Sequence, residues 1–234
     1  MRCGLNILLF VFFLLGINSF GQKPIFIYYD NKKLKNEIIF ISKKKVMIKE
    51  YSVTGKISSI MSGKFINDSI PKITDGKVTF YNEKGITIRK GVIKNGNYHR
   101  RLTTYLTNGT KAYYTYNNGV FNGPCLLRYE NGKIKCRGSY KNNKKIGTWE
   151  EFYSNGVLKS KGRYSGKEKV IEYSQQVEDS LKKISQVEPI VFPYILSYKE
   201  GEWVYYDENG KLIATEWYNS DGNITKNKPN YIEK

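Results

Sequence analysis

The stretch Gly147-Thr-Trp-Glu-Glu-Phe-Tyr-Ser-Asn-Gly156 decides the fold of this 234-residue chain. An Asn-Gly pair flanked by alternating apolar and polar residues is a strong signal for a β-hairpin, because a type I′ turn needs positive φ at both central positions. An antiparallel register centred on Asn155-Gly156 pairs Trp149 with Gly162. A bare glycine backbone leaves room for a large ring, so we expect the indole to lie across Gly162.

The same phrase recurs at a nearly fixed interval along the chain. Gly85, Gly109, Gly132 and Gly156 are 24, 23 and 24 residues apart, and a further copy ends at Gly210. A fixed period in the twenties indicates a stacked array of one supersecondary unit. The sequence therefore predicts a mainly β fold, an elongated antiparallel meander of repeated β-hairpins, with one helix described below.

Each hairpin is predicted to have two different faces, because side chains alternate across a strand. One face carries Trp149, Tyr153 and Tyr164 and is expected to be packed. The opposite face is basic, and two roles stay open for it: solvation of the sheet, or attraction of a polyanion. The candidate binding residues on this face are Lys133, Lys135, Arg137, Lys159 and Lys161.

The phrase from Gly147 to Gly156, followed by Gly162-Arg-Tyr164, resembles the MORN repeat in its bacterial variant with Tyr-x-x-Asn-Gly turns. The resemblance extends over residues 76–166 and 201–218, with Cys125 in place of the tryptophan in one repeat. It implies an elongated antiparallel meander that acts as an interaction module. Some eukaryotic members are associated with lipid or membrane contact, and bacterial members are often labelled antitoxin components.

The N-terminus has the composition of a secretory signal peptide, residues 1–21. Arg2 precedes the apolar run Leu5–Ile17, which is short for a membrane span, and Ser19 and Gly21 favour cleavage before Gln22. An uncleaved membrane anchor is the alternative. We expect an exported chain, periplasmic or secreted, and export argues against neutralisation of a cytoplasmic toxin.

The repeat array is predicted to be interrupted once. Residues 22–75 are expected to form degenerate repeats and a cap, 76–166 the MORN-like array, 167–200 a helical insertion, and 201–234 the final repeat and a C-terminal cap. Apolar residues at helical spacing predict an amphipathic helix over about 169–187. This helix is expected to cover the aromatic face or, alternatively, to bind a partner. Its apolar positions are Val170, Tyr173, Val177, Leu181, Ile184 and Val187.

The formal net charge of +18 comes mostly from lysine, since only seven of the 39 basic residues are arginines. Phosphate and nucleic-acid sites favour arginine for its planar fork, so a lysine excess indicates such partners only weakly. An AT-rich genome enriches lysine, asparagine, isoleucine and tyrosine together. Genome composition and an anionic partner therefore both remain as explanations.

The usual catalytic and metal-binding patterns do not occur. His99 is the only histidine, so a His-based triad or a multi-histidine metal site cannot be built, and no catalytic residue or cofactor is predicted. Cys125 and Cys136 lie diagonally across one hairpin, about 7 Å apart and at or beyond disulfide reach, which predicts two buried thiols. Glu150 faces Lys161 and is predicted to form a cross-strand pair.

These patterns together predict an exported, non-enzymatic repeat protein that serves as a protein-interaction scaffold in the cell envelope or outside the cell. The alternative is a basic face that binds an anionic surface, namely phospholipid headgroups, acidic polysaccharide or DNA. An enzyme is the third hypothesis, and no small-molecule substrate is predicted. Binding to an anionic surface should weaken steeply as the ionic strength rises.

Overall fold

The computed structural model describes residues 22–66, 71–169 and 196–229. These residues form an antiparallel meander of fifteen strands whose order in the sheet is their order in the chain. Within these ranges there is no helix, and hence none that could cross a membrane. The strands are β1 (Ile25–Tyr28), β2 (Leu34–Ser42), β3 (Lys45–Tyr51), β4 (Ile57–Ile66), β5 (Lys72–Tyr81), β6 (Thr87–Lys94), β7 (Asn97–Tyr105), β8 (Lys111–Asn117), β9 (Val120–Arg128), β10 (Ile134–Lys141), β11 (Lys144–Phe152), β12 (Leu158–Lys169), β13 (Leu196–Tyr206), β14 (Leu212–Tyr218) and β15 (Ile224–Pro229).

The part of the chain that the structure describes contains no helix, and the predicted fold class, with its helix over 169–187, was wrong in that respect. Strand β12 continues to Lys169, which pairs with Leu196 of β13. The backbone at the start of the expected helix therefore belongs to a strand. Residues 170–195, like the expected signal peptide at 1–21, lie outside the described part of the chain. Helical spacing of apolar residues shows which of them would share a face, but it does not decide where the preceding strand ends.

The chain divides into two compact units. The N-terminal unit comprises the residues up to Thr107 together with Tyr116–Gly119, and the C-terminal unit comprises Asn108–Thr115 and the residues from Val120 onward. The N-terminal unit has an aliphatic core around one phenylalanine. The buried residues of this core are Ile38, Phe40, Val46, Ile48, Ile73, Val78 and Ile93.

Two glycines allow strands β4 and β5 to approach closely beneath this core. Gly63 pairs with Gly76, and a Cβ on either residue would overlap the backbone of the other strand. Only two bare backbones fit at this point, because the obstacle on each side is main chain that has no rotamer to change.

A row of aromatic rings packs the inner face of the C-terminal unit, as expected for the aromatic side of the hairpins. Successive ring centroids lie between 5.0 and 6.5 Å apart, within the range that tilted and edge-to-face aromatic pairs prefer. Trp149 and Trp203 are each only 4% exposed. In order, the rings belong to Tyr114, Phe121, Tyr140, Trp149, Tyr164, Trp203 and Tyr205.

The Asn-Gly phrases form a different turn from the predicted type I′. At Tyr153–Gly156 the amide of Gly156 donates to the carbonyl of Tyr153 at 2.9 Å. Gly156 has a φ of 92°, whereas Asn155 is not among the residues with positive φ. The result is a three-residue loop with a glycine bulge, in which Asn155 Oδ1 accepts a hydrogen bond from the amide of Val157 at 2.9 Å.

This bulge changes the register only next to the turn. Leu158 pairs with Phe152 and not with Tyr153, while Trp149 and Gly162 pair as predicted. Two-residue turns with positive φ at both positions occur instead at the opposite ends of the strands. They are Asn95-Gly96, Asn118-Gly119 and Asn142-Asn143.

A second, wider bulge occurs opposite a glycine in three repeats, at Gly91, Gly138 and Gly162. Between β10 and β11, Arg137 pairs with Glu150 and Ser139 with Ile146, so Gly138 faces three residues. The same three-to-one arrangement occurs between β12 and β13 and between β6 and β7. The first of the three residues has positive φ each time: Gly147 (63°), Gly201 (66°) and Arg100 (62°).

In each wide bulge, the last of the three residues lies over the glycine of the preceding strand. A Cβ on Gly138 would overlap the indole of Trp149, and a Cβ on Gly162 would overlap the indole of Trp203. The prediction that Trp149 lies across Gly162 was therefore wrong, although the two residues pair in register. Each indole covers the glycine of the strand before it in the chain.

Candidate interaction faces

The face of the C-terminal unit opposite the aromatic rings, which carries the five predicted basic residues, is called the outer face. Two of these five residues contact the same carboxylate. Arg137 Nε lies 2.5 Å and Lys161 Nζ 3.1 Å from the Glu150 carboxylate oxygens. The predicted Glu150–Lys161 pair is thus confirmed and extended by Arg137. Burial opposes ionisation of Glu150, but the hydrogen bonds and positive charges of Arg137 and Lys161 outweigh it and lower the pKa of this carboxyl.

The other three predicted residues also contact neighbouring parts of the repeat. Lys135 Nζ lies 5.4 Å from the ring centroid of Tyr129, and Lys159 Nζ lies 5.6 Å from that of Tyr153. Lys133 Nζ donates to the carbonyl of a residue in the next turn, at 2.5 Å. Despite these contacts most of the set faces solvent. The exposed members are Lys133, Arg137, Lys159 and Lys161.

Tyrosines of the repeated phrase join successive hairpins at the ends of the strands where the Asn-Gly turns lie. Tyr129 Oη donates to the carbonyl of Phe152 at 2.7 Å, and Tyr153 Oη donates to the carbonyl of Tyr206 at 2.9 Å. In both cases the acceptor is the last strand residue before the next turn. The tyrosine therefore recurs because it hydrogen-bonds the neighbouring hairpin, a role that the turn itself does not require.

The asparagines of the phrase make a parallel set of links. Asn131 Nδ2 donates to the carbonyl of Ser154, and Asn155 Nδ2 donates to the carbonyl of Glu208, each at 2.9 Å. The Oδ1 atom of each asparagine meanwhile accepts an amide of its own turn. One side chain thus fixes its own loop and holds the next one, so the turns form a hydrogen-bonded ladder.

Two lysines that the sequence reasoning missed lie on the aromatic face. Lys145 Nζ lies 4.5 Å from the ring centroid of Trp149 and 4.9 Å from that of Tyr164. Lys199 Nζ lies 4.5 Å from the ring centroid of Trp203. Each lysine precedes its tryptophan by four residues, and this recurrence was the signal available in the sequence. Cations on ring faces cover apolar surface while the ammonium group stays hydrated.

Lys199 also belongs to a hydrogen-bond network at the end of the ring row. Its Nζ donates to the hydroxyls of Tyr205 at 2.6 Å and Tyr218 at 3.1 Å. Both tyrosines donate to Glu216 Oε2, at 2.6 and 2.5 Å. Burial lowers the pKa of Lys199. Burial together with the hydrogen bond to Glu216 raises the pKa of Tyr205 and raises that of Tyr218 to about 12. Both phenols therefore stay protonated and act as donors.

Cys125 and Cys136 are free thiols, as predicted, but only Cys125 is fully buried. Burial raises the pKa of Cys125 to about 12. Burial, with the charge of Glu151 second, raises the pKa of Cys136 to about 11. Thiols of such high pKa are poor nucleophiles near neutral pH. Across the described ranges, no cluster of three or more His, Cys, Asp or Glu side chains is arranged to hold a metal ion.

Comparison with known proteins places these hairpins in a family. Residues 121–142, 145–165 and 199–216 match the family described as MORN repeat variant. The comparison with curated proteins gave no match. Among solved structures, a porin-like protein from Bacteroides uniformis ATCC 8492 is 10% identical, with 88% of this chain and 86% of that chain covered and a TM-score of 0.25, too low to bear on fold or function. The three matched segments between residues 121 and 216 are therefore MORN repeats of the variant form.

Proposed function

We propose that this protein is an exported, non-enzymatic repeat scaffold that binds a partner protein in the cell envelope or outside the cell. One observation carries the proposal: the repeated tyrosines, asparagines and tryptophans bind neighbouring hairpins, which leaves a regular outer face of exposed side chains. Tyr129 and Tyr153 make equivalent hydrogen bonds to the following hairpin. A stacked array of this kind presents an extended surface on a rigid support.

The outer face of β10 to β12 is the proposed contact surface. Arg137 and Lys161 lie on opposite sides of Glu150 and are both exposed. Their shared carboxylate limits the rotamers of both side chains, so less conformational entropy is lost when a partner binds. A fixed pattern of charges of both signs also favours a specific protein over a uniform anionic surface.

A capture experiment with matched charge variants tests this proposal. The chain from Gln22 onward is immobilised and incubated with the envelope fraction of its native cell, and captured proteins are compared between variants. The test variant replaces the five basic residues of the outer face with serine. The control removes five exposed lysines elsewhere: Lys43, Lys44, Lys72, Lys226 and Lys228.

We expect the test variant to lose a protein that the wild type and the control variant both retain. Retention should persist when the salt concentration is raised, because a specific interface also contains contacts that are not screened. Equal losses in the two variants, or no loss in the test variant, would contradict a specific outer-face interface.

The second candidate function is adhesion of the same face to an anionic surface. It is favoured by the exposure of Lys133, Lys159 and Lys161 on adjacent hairpins. The logarithm of the apparent affinity for anionic liposomes and for heparin should then fall linearly with the logarithm of the salt concentration. The five-serine variant should lose this retention at low salt. If retention is unchanged, the basic face serves as a solvated surface.

A further inference from the structure

One position departs from the pattern of the wide bulges. Gly147 and Gly201 begin their bulges with φ values of 63° and 66°, while Arg100 begins its bulge with a φ of 62°. The left-handed region is unfavourable for a residue with a Cβ atom and is normally filled by glycine. Residues held in such conformations cluster at active sites and ligand-binding sites.

The neighbours of Arg100 also differ from those in the other bulges. Arg101 follows it, and both arginines are exposed. Only seven of the 39 basic residues are arginines, so general enrichment in basic residues does not explain two in succession. At the positions equivalent to Arg101, the other two bulges have Thr148 and Glu202. The guanidinium pair is therefore specific to this bulge in the N-terminal unit.

His99 precedes the arginines and has an unsatisfied atom. Its Nδ1 is buried without a hydrogen-bond partner in the part of the chain that the structure describes. His99 pairs with Val92 of β6, and Lys90 and Lys94 lie at exposed positions on the same face of that strand. A buried polar atom without a partner needs an explanation, and here it lies in a locally cationic region.

We propose that the bulge at His99–Arg101 binds a phosphate group. Guanidinium groups match the geometry of phosphate oxygens and bind them through paired charge-assisted hydrogen bonds, which lysine cannot reproduce. Wide bulges redirect side chains away from the regular ladder. The arginine at the glycine position thereby gains an orientation that a regular strand does not offer, and this explains why a strained conformation is kept there.

The single histidine provides a direct readout of binding. The chain from Gln22 onward is titrated with inorganic phosphate at constant pH and ionic strength, and the imidazole proton resonances of His99 are followed by NMR. We expect a saturable shift in the wild type. Arg100→Gly should weaken the apparent affinity about tenfold or more, because charge-assisted hydrogen bonds are lost. Its melting temperature should not fall, since glycine suits this backbone.

One further variant tests the guanidinium fork, and a second tests whether binding is confined to this bulge. Arg101→Lys keeps the charge but loses the planar fork, so it should reduce affinity less than Arg100→Gly. Arg137→Ser removes one charge from the outer face of the C-terminal unit and should titrate like the wild type. The five-serine variant used to test the proposed function should also retain phosphate binding, so the two proposals can fail separately.

An experiment with vesicles distinguishes the two sources of the phosphate group, a lipid headgroup and a soluble compound. Cosedimentation with phosphatidylcholine vesicles is measured with and without phosphatidic acid, and inorganic phosphate is added as competitor. Loss of phosphatidic-acid-dependent binding in Arg100→Gly would identify a lipid headgroup, whereas an Arg100-dependent NMR shift alone would identify a soluble phosphate compound. If neither measurement depends on Arg100, the proposal is wrong.

Discussion

The two units build the same antiparallel meander with different packing. In the N-terminal unit, small aliphatic side chains such as Ile38 and Val46 are almost completely buried, at 1% and 0% exposure. In the C-terminal unit, a few large rings cross the glycines of neighbouring strands. The family match begins at residue 121. The segments that match the family therefore lie in the unit where rings lie on bare backbone.

The largest effect should come from the rings, because each one supports several neighbours. Trp203 is 4% exposed, and its Nε1 donates to the carbonyl of Arg163 at 3.0 Å. Trp203→Ala should cost about 3–5 kcal/mol in the free energy of unfolding. Ile38→Val in the aliphatic core should cost about 0.5–1.5 kcal/mol. Urea denaturation checks both values, and a smaller loss for the tryptophan would contradict the distinction between the units.

Glycine substitutions should sharpen the same comparison through a rescue experiment. Gly162→Ala should destabilise by about 1–3 kcal/mol, because the new Cβ overlaps the indole of Trp203. Adding Trp203→Leu should cost less in that background than it does in the wild type. Gly76→Ala meets the backbone of Ser62 and Gly63 instead, so no side-chain replacement should relieve it. Thermal denaturation of the single and double variants measures the coupling.

The outer-face ion pairs should make a smaller, pH-dependent contribution. The pKa of Glu150 is lowered in the folded chain, so its contribution to stability is present above the unfolded pKa and is lost as the pH falls through the folded pKa. Glu150→Gln should therefore reduce stability at neutral pH, by less than about 1 kcal/mol because the pair is partly screened, and this difference should vanish in acid. Glu202→Gln, at an exposed position, is the control. A constant deficit at all pH values would show that the charge of Glu150 is not involved.

The smallest effect is expected for single lysines on the outer face. Lys159 is exposed above Tyr153, and Lys159→Ser should cost about 0.5 kcal/mol or less. Lys145→Ser on the aromatic face should cost more, because Lys145 is half-buried and covers both Trp149 and Tyr164. Equal losses in thermal denaturation would remove the difference between the two faces.

The strand register was predictable because alternation and turn position determine it. The pairs Trp149–Gly162, Cys125–Gly138 and Val78–Gly91 all occur. The direction of the indoles was not predictable in the same way. Trp149 has glycines on both flanking strands, and the wide bulge at Gly147, which no pairing arithmetic contains, turns the ring towards Gly138.

The placement of the lysines was the other main gap. The lysine excess had two possible explanations, genome composition and an anionic partner. Neither explanation indicates where the lysine side chains lie in the structure. In the structure Lys135 and Lys159 lie over the rings of tyrosines in the repeated phrase. Lys145 and Lys199 instead lie over the tryptophans of the aromatic face. These contacts depend on rotamers and on the shape of the bulges. The candidate outer face could be predicted from alternation, whereas the ladder of turn hydrogen bonds could not.

Strands β12 and β13 are neighbours in the sheet although 26 residues separate them in the chain. Lys169 and Leu196 are paired, so the polypeptide departs and returns at adjacent points. At the opposite ends of these strands, Tyr153 Oη donates to the carbonyl of Tyr206. Tyr129 makes the equivalent bond to a hairpin that follows it directly in sequence. The segment between Lys169 and Leu196 therefore leaves the order of the strands in the meander unchanged.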